Sequence, residues 1–185
     1  TGTDRARVAS DVDRLESCSR DLEVRGARRG RQLIFADRRQ GAGLEARRSL
    51  GQNFVADPNT VRRIARLAGV GDGDRVVEIG AGLGSLTLAL VETGASVTAI
   101  ETDGNLVPLL RSVVGDSATV VHADAREVDW NELLEGDGWS LVANLPYNIA
   151  TSLVLDVLAD VPAVERLLVM VQREAGERLV ASPGT

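Results

Sequence analysis

The sequence predicts an α/β domain built on a doubly wound parallel sheet. Two observations predict it. From residue 43 onward, short β-rich runs alternate with stretches of helical spacing. Every candidate for chemistry also falls at the carboxyl end of a predicted strand, which is where open parallel sheets bind ligands, at the point where strand order reverses.

The elements follow in order. Asp57-Pro58 places an N-cap before a proline at the first helical position, and Val61, Ile64, Ala65, Leu67 and Ala68 keep helical spacing up to Gly69. Gly71-Asp72-Gly73-Asp74 is a turn, and Arg75–Ile79 is a first short strand. Gly80–Ser85 forms a glycine loop, Leu86–Glu92 a helix closed by Gly94, and Ser96–Ile100 a second strand. Asn105–Val114 predicts a helix ending at Gly115, and Thr119–His122 a third strand. Val128–Leu134 is a short amphipathic piece, and Leu141-Val142-Ala143 belongs to a fourth strand. Ile149–Leu158 is a helix, Arg166–Gln172 a fifth strand and Glu174–Ala181 a final helix. Residues 1–42 are rich in Arg and Asp, with only Gln32-Leu33-Ile34-Phe35 apolar enough to pack; a disordered or loosely helical leader is expected there.

Composition narrows the class of function. The chain has 185 residues, 44% of them apolar but only 3% aromatic, so its core must be built from Val, Leu, Ile and Ala. Residues 1–50 hold 12 Arg against 8 acids, a net of +4, while residues 51–185 hold 9 Arg against 19 acids, a net of −10. Much of the second part therefore repels a polyanion unless Arg residues cluster, whereas it suits a cationic small ligand. Cys18 is the only cysteine, which excludes an internal disulfide. The apolar runs fall short of the ~18 residues a membrane span needs, and the N-terminus has no signal-peptide core, so the chain is expected to be cytoplasmic. It begins at Thr1 and stops in a turn-like Ser182-Pro183-Gly184-Thr185, so a fragment of a longer protein is expected.

Four strand ends carry the candidate site. Glu78-Ile79-Gly80-Ala81-Gly82-Leu83-Gly84-Ser85 follows a strand and opens a helix, and its glycines permit a tight turn and close approach of a ligand. A dinucleotide fingerprint wants glycine where Ser85 stands, and Glu78 before the loop suits a cation better than a pyrophosphate. Glu101, at the end of the second strand, can accept both hydroxyl hydrogens of a ribose. Asp124, after the third strand, can accept from the exocyclic amine of adenine while the Ala125 N–H donates to a ring nitrogen; a plain helix cap is the alternative for Asp124. His122, the only histidine, shares a side of the strand with Asp124 but lacks partners for a metal site. A nucleoside with a cationic tail over a glycine loop describes S-adenosyl-L-methionine.

The hexapeptide Asn144-Leu145-Pro146-Tyr147-Asn148-Ile149 leaves the fourth strand. The Asn144 side-chain oxygen and the Leu145 carbonyl can each accept one N–H of a flat amine, holding it for in-line attack on the S–CH₃ bond at ~3–3.5 Å. Pro146 stiffens the turn, and Tyr147 offers a face for an extruded base, worth ~1–3 kcal/mol by stacking.

Ser49-Leu50-Gly51-Gln52-Asn53-Phe54, Glu78 to Gly84, Asn144 to Ile149 and Val171-Gln172-Arg173-Glu174 with Glu177 to Ala181 together resemble the ribosomal RNA adenine N6,N6-dimethyltransferases, in the order and spacing of that family. The resemblance covers about residues 43–185. It implies a Rossmann-like sheet of the class I S-adenosylmethionine-dependent methyltransferases. It also implies dimethylation of two adjacent adenosines near the 3′ end of 16S rRNA, in the small ribosomal subunit or its precursor, by a monomer without a membrane partner. Carried over by position, Asn53, Val55, Gly80, Gly82, Glu101, Asp124, Ala125 and Asn144 would hold the cofactor, and Asn144, Leu145, Pro146 and Tyr147 the target base. The family usually has Leu at Val55, and often Arg or another polar residue at Gly104. Residues 1–42 match nothing in the family. Residues 43–185 would be an incomplete methyltransferase domain that stops before the last two strands, a second base-stacking aromatic and a small helical C-terminal domain. A non-catalytic RNA-binding or assembly factor of the same fold is the alternative.

Overall fold

The computed structural model describes residues 58–145 and 147–171, together with the backbone of two strands at 22–28 and 31–37. The elements run β1 (Leu22–Arg28), β2 (Arg31–Asp37), α1 (Pro58–Ala68), β3 (Arg75–Ile79), α2 (Ser85–Val91), β4 (Ser96–Glu101), α3 (Val107–Val114), a 3₁₀ turn, β5 (Ala118–His122), α4 (Trp130–Leu133), β6 (Trp139–Asn144), α5 (Tyr147–Asp160) and β7 (Val164–Val171). One sheet has the order β1-β2-β7-β6-β3-β4-β5. All neighbours are parallel except the β1–β2 pair.

The chain steps outward from β3 through β4 to β5, then returns to the other side of β3 with β6 and β7. Strand order thus reverses between β3 and β6, which opens a crevice at their carboxyl ends. Strand alternation sorts the core onto two faces. Val76, Val142 and Leu168 face α1 and α2 through Val61, Ile64, Leu86 and Leu90. Ala99 meets α3 through Leu110 and Val114. Val77, Ile79, Leu141, Ala143 and Val169 form the opposite face, covered by Leu153, Val154 and Val157 of α5. This is the doubly wound architecture expected from the alternation of elements.

The five strands and four helices expected up to residue 171 are present, with ends shifted by a few residues, and the short amphipathic piece Val128–Leu134 contains the one-turn helix α4. α5 begins at Tyr147 rather than Ile149, and Asp129 caps α4 by accepting the N–H groups of Asn131 at 2.9 Å and Glu132 at 3.2 Å. Asp57 and the helix expected at Glu174–Ala181 lie outside the described residues.

One expectation is corrected. The leader expected to be disordered or loosely helical contains β1 and β2, which pair as an antiparallel hairpin. The physical reason lies at the other end of the chain's order. β7 offers a row of unpaired backbone groups on its outer side, and β2 satisfies them in parallel register from Gln32↔Arg166 to Asp37↔Val171. The apolar run Gln32–Phe35 sits inside that pairing.

Candidate active site

Register brings the candidate residues to one level. Ile79 pairs with Ile100 on β4 and with Ala143 on β6, so the residues that follow them, Gly80, Glu101 and Asn144, stand side by side at the carboxyl edge of the sheet. Glu101 in turn pairs with His122, and the Ala123 N–H still donates to the Glu101 carbonyl at 3.2 Å, so Asp124 begins just beyond the same edge.

The glycine loop is fastened to β4. The N–H groups of Gly80 and Ala81 both donate to the Ile100 carbonyl, at 2.9 and 3.2 Å. Gly80 has φ 76°, in the left-handed region that favours glycine, and a Cβ there would point toward the Asn144 carbonyl 3.9 Å away. Gly84, with φ 86°, lets α2 approach α3: a Cβ would lie 2.9 Å from Leu110 Cδ1.

Glu101 is 5% exposed and braces this loop. One carboxylate oxygen accepts the Gly82 N–H and the other the Asp103 N–H, both at 2.8 Å. Each oxygen keeps a second lone pair, so the carboxylate can still accept two hydroxyls of a cis-diol while its orientation is fixed from behind. Gly82 therefore shapes the site through its N–H to Glu101.

Glu78 was noted in the sequence as an acid before the loop but was not placed among the cofactor-binding residues. It is 1% exposed, on the face toward α2, and accepts the Thr87 hydroxyl at 2.6 Å. Burial pushes its carboxyl up to about 7, against the lowering effect of the Thr87 hydrogen bond, and the neighbouring Glu101 charge adds to the rise. The signal was present: a carboxylate in a run of Val and Ile cannot be a solvated surface group.

Asp124 carries a ready-made counter-ion. Its two carboxylate oxygens accept from Arg126 Nε at 3.1 and 3.2 Å and from Nη2 at 2.5 Å, and one also accepts the Arg126 backbone N–H at 2.9 Å. These bonds hold its carboxyl below the usual range. Its carbonyl accepts the N–H groups of Glu127 and Val128, so Asp124 also closes a turn. Ala125 is buried beside it. The Arg126 hold was not anticipated, because an Asp-x-Arg spacing becomes a contact only once the turn is known.

His122 is exposed, and its ring stands beside Gly104: a Cβ there would come within 3.2 Å of Cε1 and 3.4 Å of Nε2. Any larger residue at 104 would have to move that ring. No group of three or more metal-ligating side chains occurs among the described residues.

At the end of β6, Asn144 pairs with Met170, and the Leu145 N–H donates to the Met170 carbonyl at 3.1 Å. The Leu145 side chain is buried, which anchors the turn at its first step, by about 2 kcal/mol for a leucine. Tyr147 is the first residue of α5. Asn53, Val55 and Pro146, and the side chain of Tyr147, lie outside the described residues.

Comparison with known proteins follows the same outline. The chain is 45% identical over 177 residues to "Ribosomal RNA small subunit methyltransferase A" of Rhodococcus opacus, covering 89% of this chain and 60% of that protein. It is 51% identical over 150 residues to the protein of that name in Leifsonia xyli, covering 77% of this chain and 52% of the relative. The chain thus spans only about half to three-fifths of these relatives' length. Among solved structures, it resembles a dimethyladenosine transferase from Plasmodium falciparum, with TM-score 0.58 and 26% identity, over 70% of this chain and 46% of that one. It also resembles the 23S rRNA methyltransferase ErmE, with TM-score 0.55 and 30% identity, over 68% of this chain and 50% of that one. Residues 43–185 match the family model described as "Ribosomal RNA adenine dimethylase", and the chain, with its Rossmann-like fold and with its glycine loop, Glu101 and Asn144 at one sheet edge, belongs to that family.

Proposed function

We propose that this chain carries the cofactor pocket and part of the base-holding turn of an S-adenosylmethionine-dependent rRNA adenine dimethyltransferase. Its target is adjacent adenosines near the 3′ end of 16S rRNA, in the small subunit or its precursor. The observation that carries the reading is the common level of Gly80, Glu101 and Asn144 at the carboxyl ends of the strands, with Asp124 two residues past the partner of Glu101. The small-subunit methyltransferase names of the bacterial relatives support the substrate.

The residues present fit the cofactor. Glu101, held by two backbone N–H groups, keeps lone pairs that can accept ribose hydroxyls. Asp124 and the Ala125 N–H offer the acceptor and donor that one edge of adenine needs. When bound, S-adenosylmethionine supplies a methyl group on a sulfonium, and the S–C bonding pair stays with sulfur as the new N–C bond forms. This chain's own work is to hold the amine. The Asn144 side-chain oxygen and the Leu145 carbonyl accept its two N–H groups, which aims the nitrogen lone pair and favours a more tetrahedral nitrogen. Leu145 is suited to this because its N–H and side chain are both tied down. The methylated nitrogen is cationic and releases its proton readily, so no strong base is required. Positioning carries the rate. A second methyl follows by the same route, with one N–H left to hold.

The Asn144-Leu145-Pro146-Tyr147 turn favours an enzyme over a non-catalytic RNA-binding factor, which would need only the pocket. Asn144→Ala in the full-length protein should cut methylation of small-subunit RNA by about a hundredfold or more, the cost of a misplaced reactant. Its cofactor affinity should change far less. Methylation and affinity falling by the same factor would contradict the holding role.

A further inference from the structure

We propose that Arg126 competes with the nucleoside for Asp124, so that the adenine amine must displace an internal cation to bind, and that this exchange weakens discrimination between 6-amino and 6-oxo purines. The inference rests on the assignment of Asp124 to the adenine edge.

The geometry separates what stays from what leaves. The Arg126 backbone N–H at 2.9 Å belongs to the turn, whose Glu127 and Val128 N–H groups bond the Asp124 carbonyl at 2.9 and 3.0 Å. That bond persists with a ligand present. The guanidinium is different. Nε bridges both carboxylate oxygens and Nη2 takes Oδ2, so the fork occupies acceptor positions on both oxygens that an amine would need. It is held only by a flexible side chain that is 54% exposed, beside a carboxylate that is 25% exposed.

Selectivity follows from donor and acceptor chemistry. A 6-amino purine can donate to Asp124 in place of the guanidinium. A 6-oxo purine presents an acceptor at position 6, which the carboxylate repels but a retained guanidinium can satisfy, and its N1–H opposes the Ala125 N–H whether or not Arg126 is present. Removing Arg126 should therefore help the first ligand and not the second. The exposed pair is worth little, so the gain is limited to about two- to fivefold.

Wild type, Arg126→Ala and Arg126→Gln would be titrated calorimetrically with S-adenosylhomocysteine and with S-inosylhomocysteine, at low salt and at ~1 M salt, where charge pairs are screened within ~3 Å. Circular dichroism would be recorded on each, and Glu101→Ala run beside them. The expected result is adenosyl binding two- to fivefold tighter in both Arg126 variants at low salt, a gap that closes at high salt, and no gain for the inosyl ligand. Unchanged or weaker adenosyl binding in the folded Arg126 variants would overturn the proposal, as would an equal gain for both ligands. If wild type binds and Glu101→Ala does not, such a result removes only the role of Arg126. No binding by folded wild type would remove the pocket assignment, and this proposal with it.

Discussion

Glu78 shows how a single buried group sets a measurable property. Its carboxyl is raised from 4.5 to about 7 by burial, so the folded protein keeps a proton between those values that the unfolded chain has already lost. Stability from this group is complete below about pH 4.5 and declines as pH rises through 7, by on the order of 3 kcal/mol across the window. Glu78→Gln keeps an acceptor for the Thr87 hydroxyl and removes the titration. It should raise Tm above pH 7 by several degrees and flatten the Tm profile between pH 4.5 and 7. Thermal melts with the same pH dependence in both proteins would show that the carboxyl is not buried as described. At this scale the sequence revealed residue types at strand ends but not their partners. Glu101 was legible as a carboxylate at a strand end. Its brace on the Gly82 N–H was not, because that bond spans the loop and needs the sheet register. The Arg126 fork on Asp124 was hidden because it needs the local turn that brings the two side chains together.

Elements were legible where apolar runs and glycine punctuation agreed. Arg75–Ile79 was placed without error, since Val-Val and Ile lie between an Asp-Gly-Asp turn and a glycine loop. β1 and β2 were missed, because Arg-rich runs with weak alternation give no strand signal of their own; their pairing depends on the β7 edge. The α2–α3 contact depends on Gly84, whose left-handed φ and crowded position both exclude a side chain. Gly84→Ala would put a Cβ 2.9 Å from Leu110 Cδ1 and 3.2 Å from Val114 Cγ1. It should cost roughly 2–4 kcal/mol, combining backbone strain with overpacking. Urea unfolding would measure this, and a loss below about 0.5 kcal/mol would mean that the two helices do not meet as described.

At the scale of the whole molecule, charge and topology point to different ligands for different parts. Residues 51–185 carry a net charge of −10, and the strands among them that form the crevice at the β3–β6 reversal lie in an acidic stretch of sequence that suits a sulfonium and an ammonium. The chain spans only part of the length of its relatives. No helix among the described residues is long and apolar enough to cross a membrane. The central claim is that the strand ends of this chain form a pocket for S-adenosylmethionine anchored by Glu101. Its most direct test is calorimetric titration of the chain with S-adenosylmethionine beside Glu101→Ala, with circular dichroism on both. Saturable binding by wild type that is lost in a still-folded Glu101→Ala is the predicted result. A folded wild-type chain that binds no cofactor, or a folded variant that binds it equally well, would contradict the account.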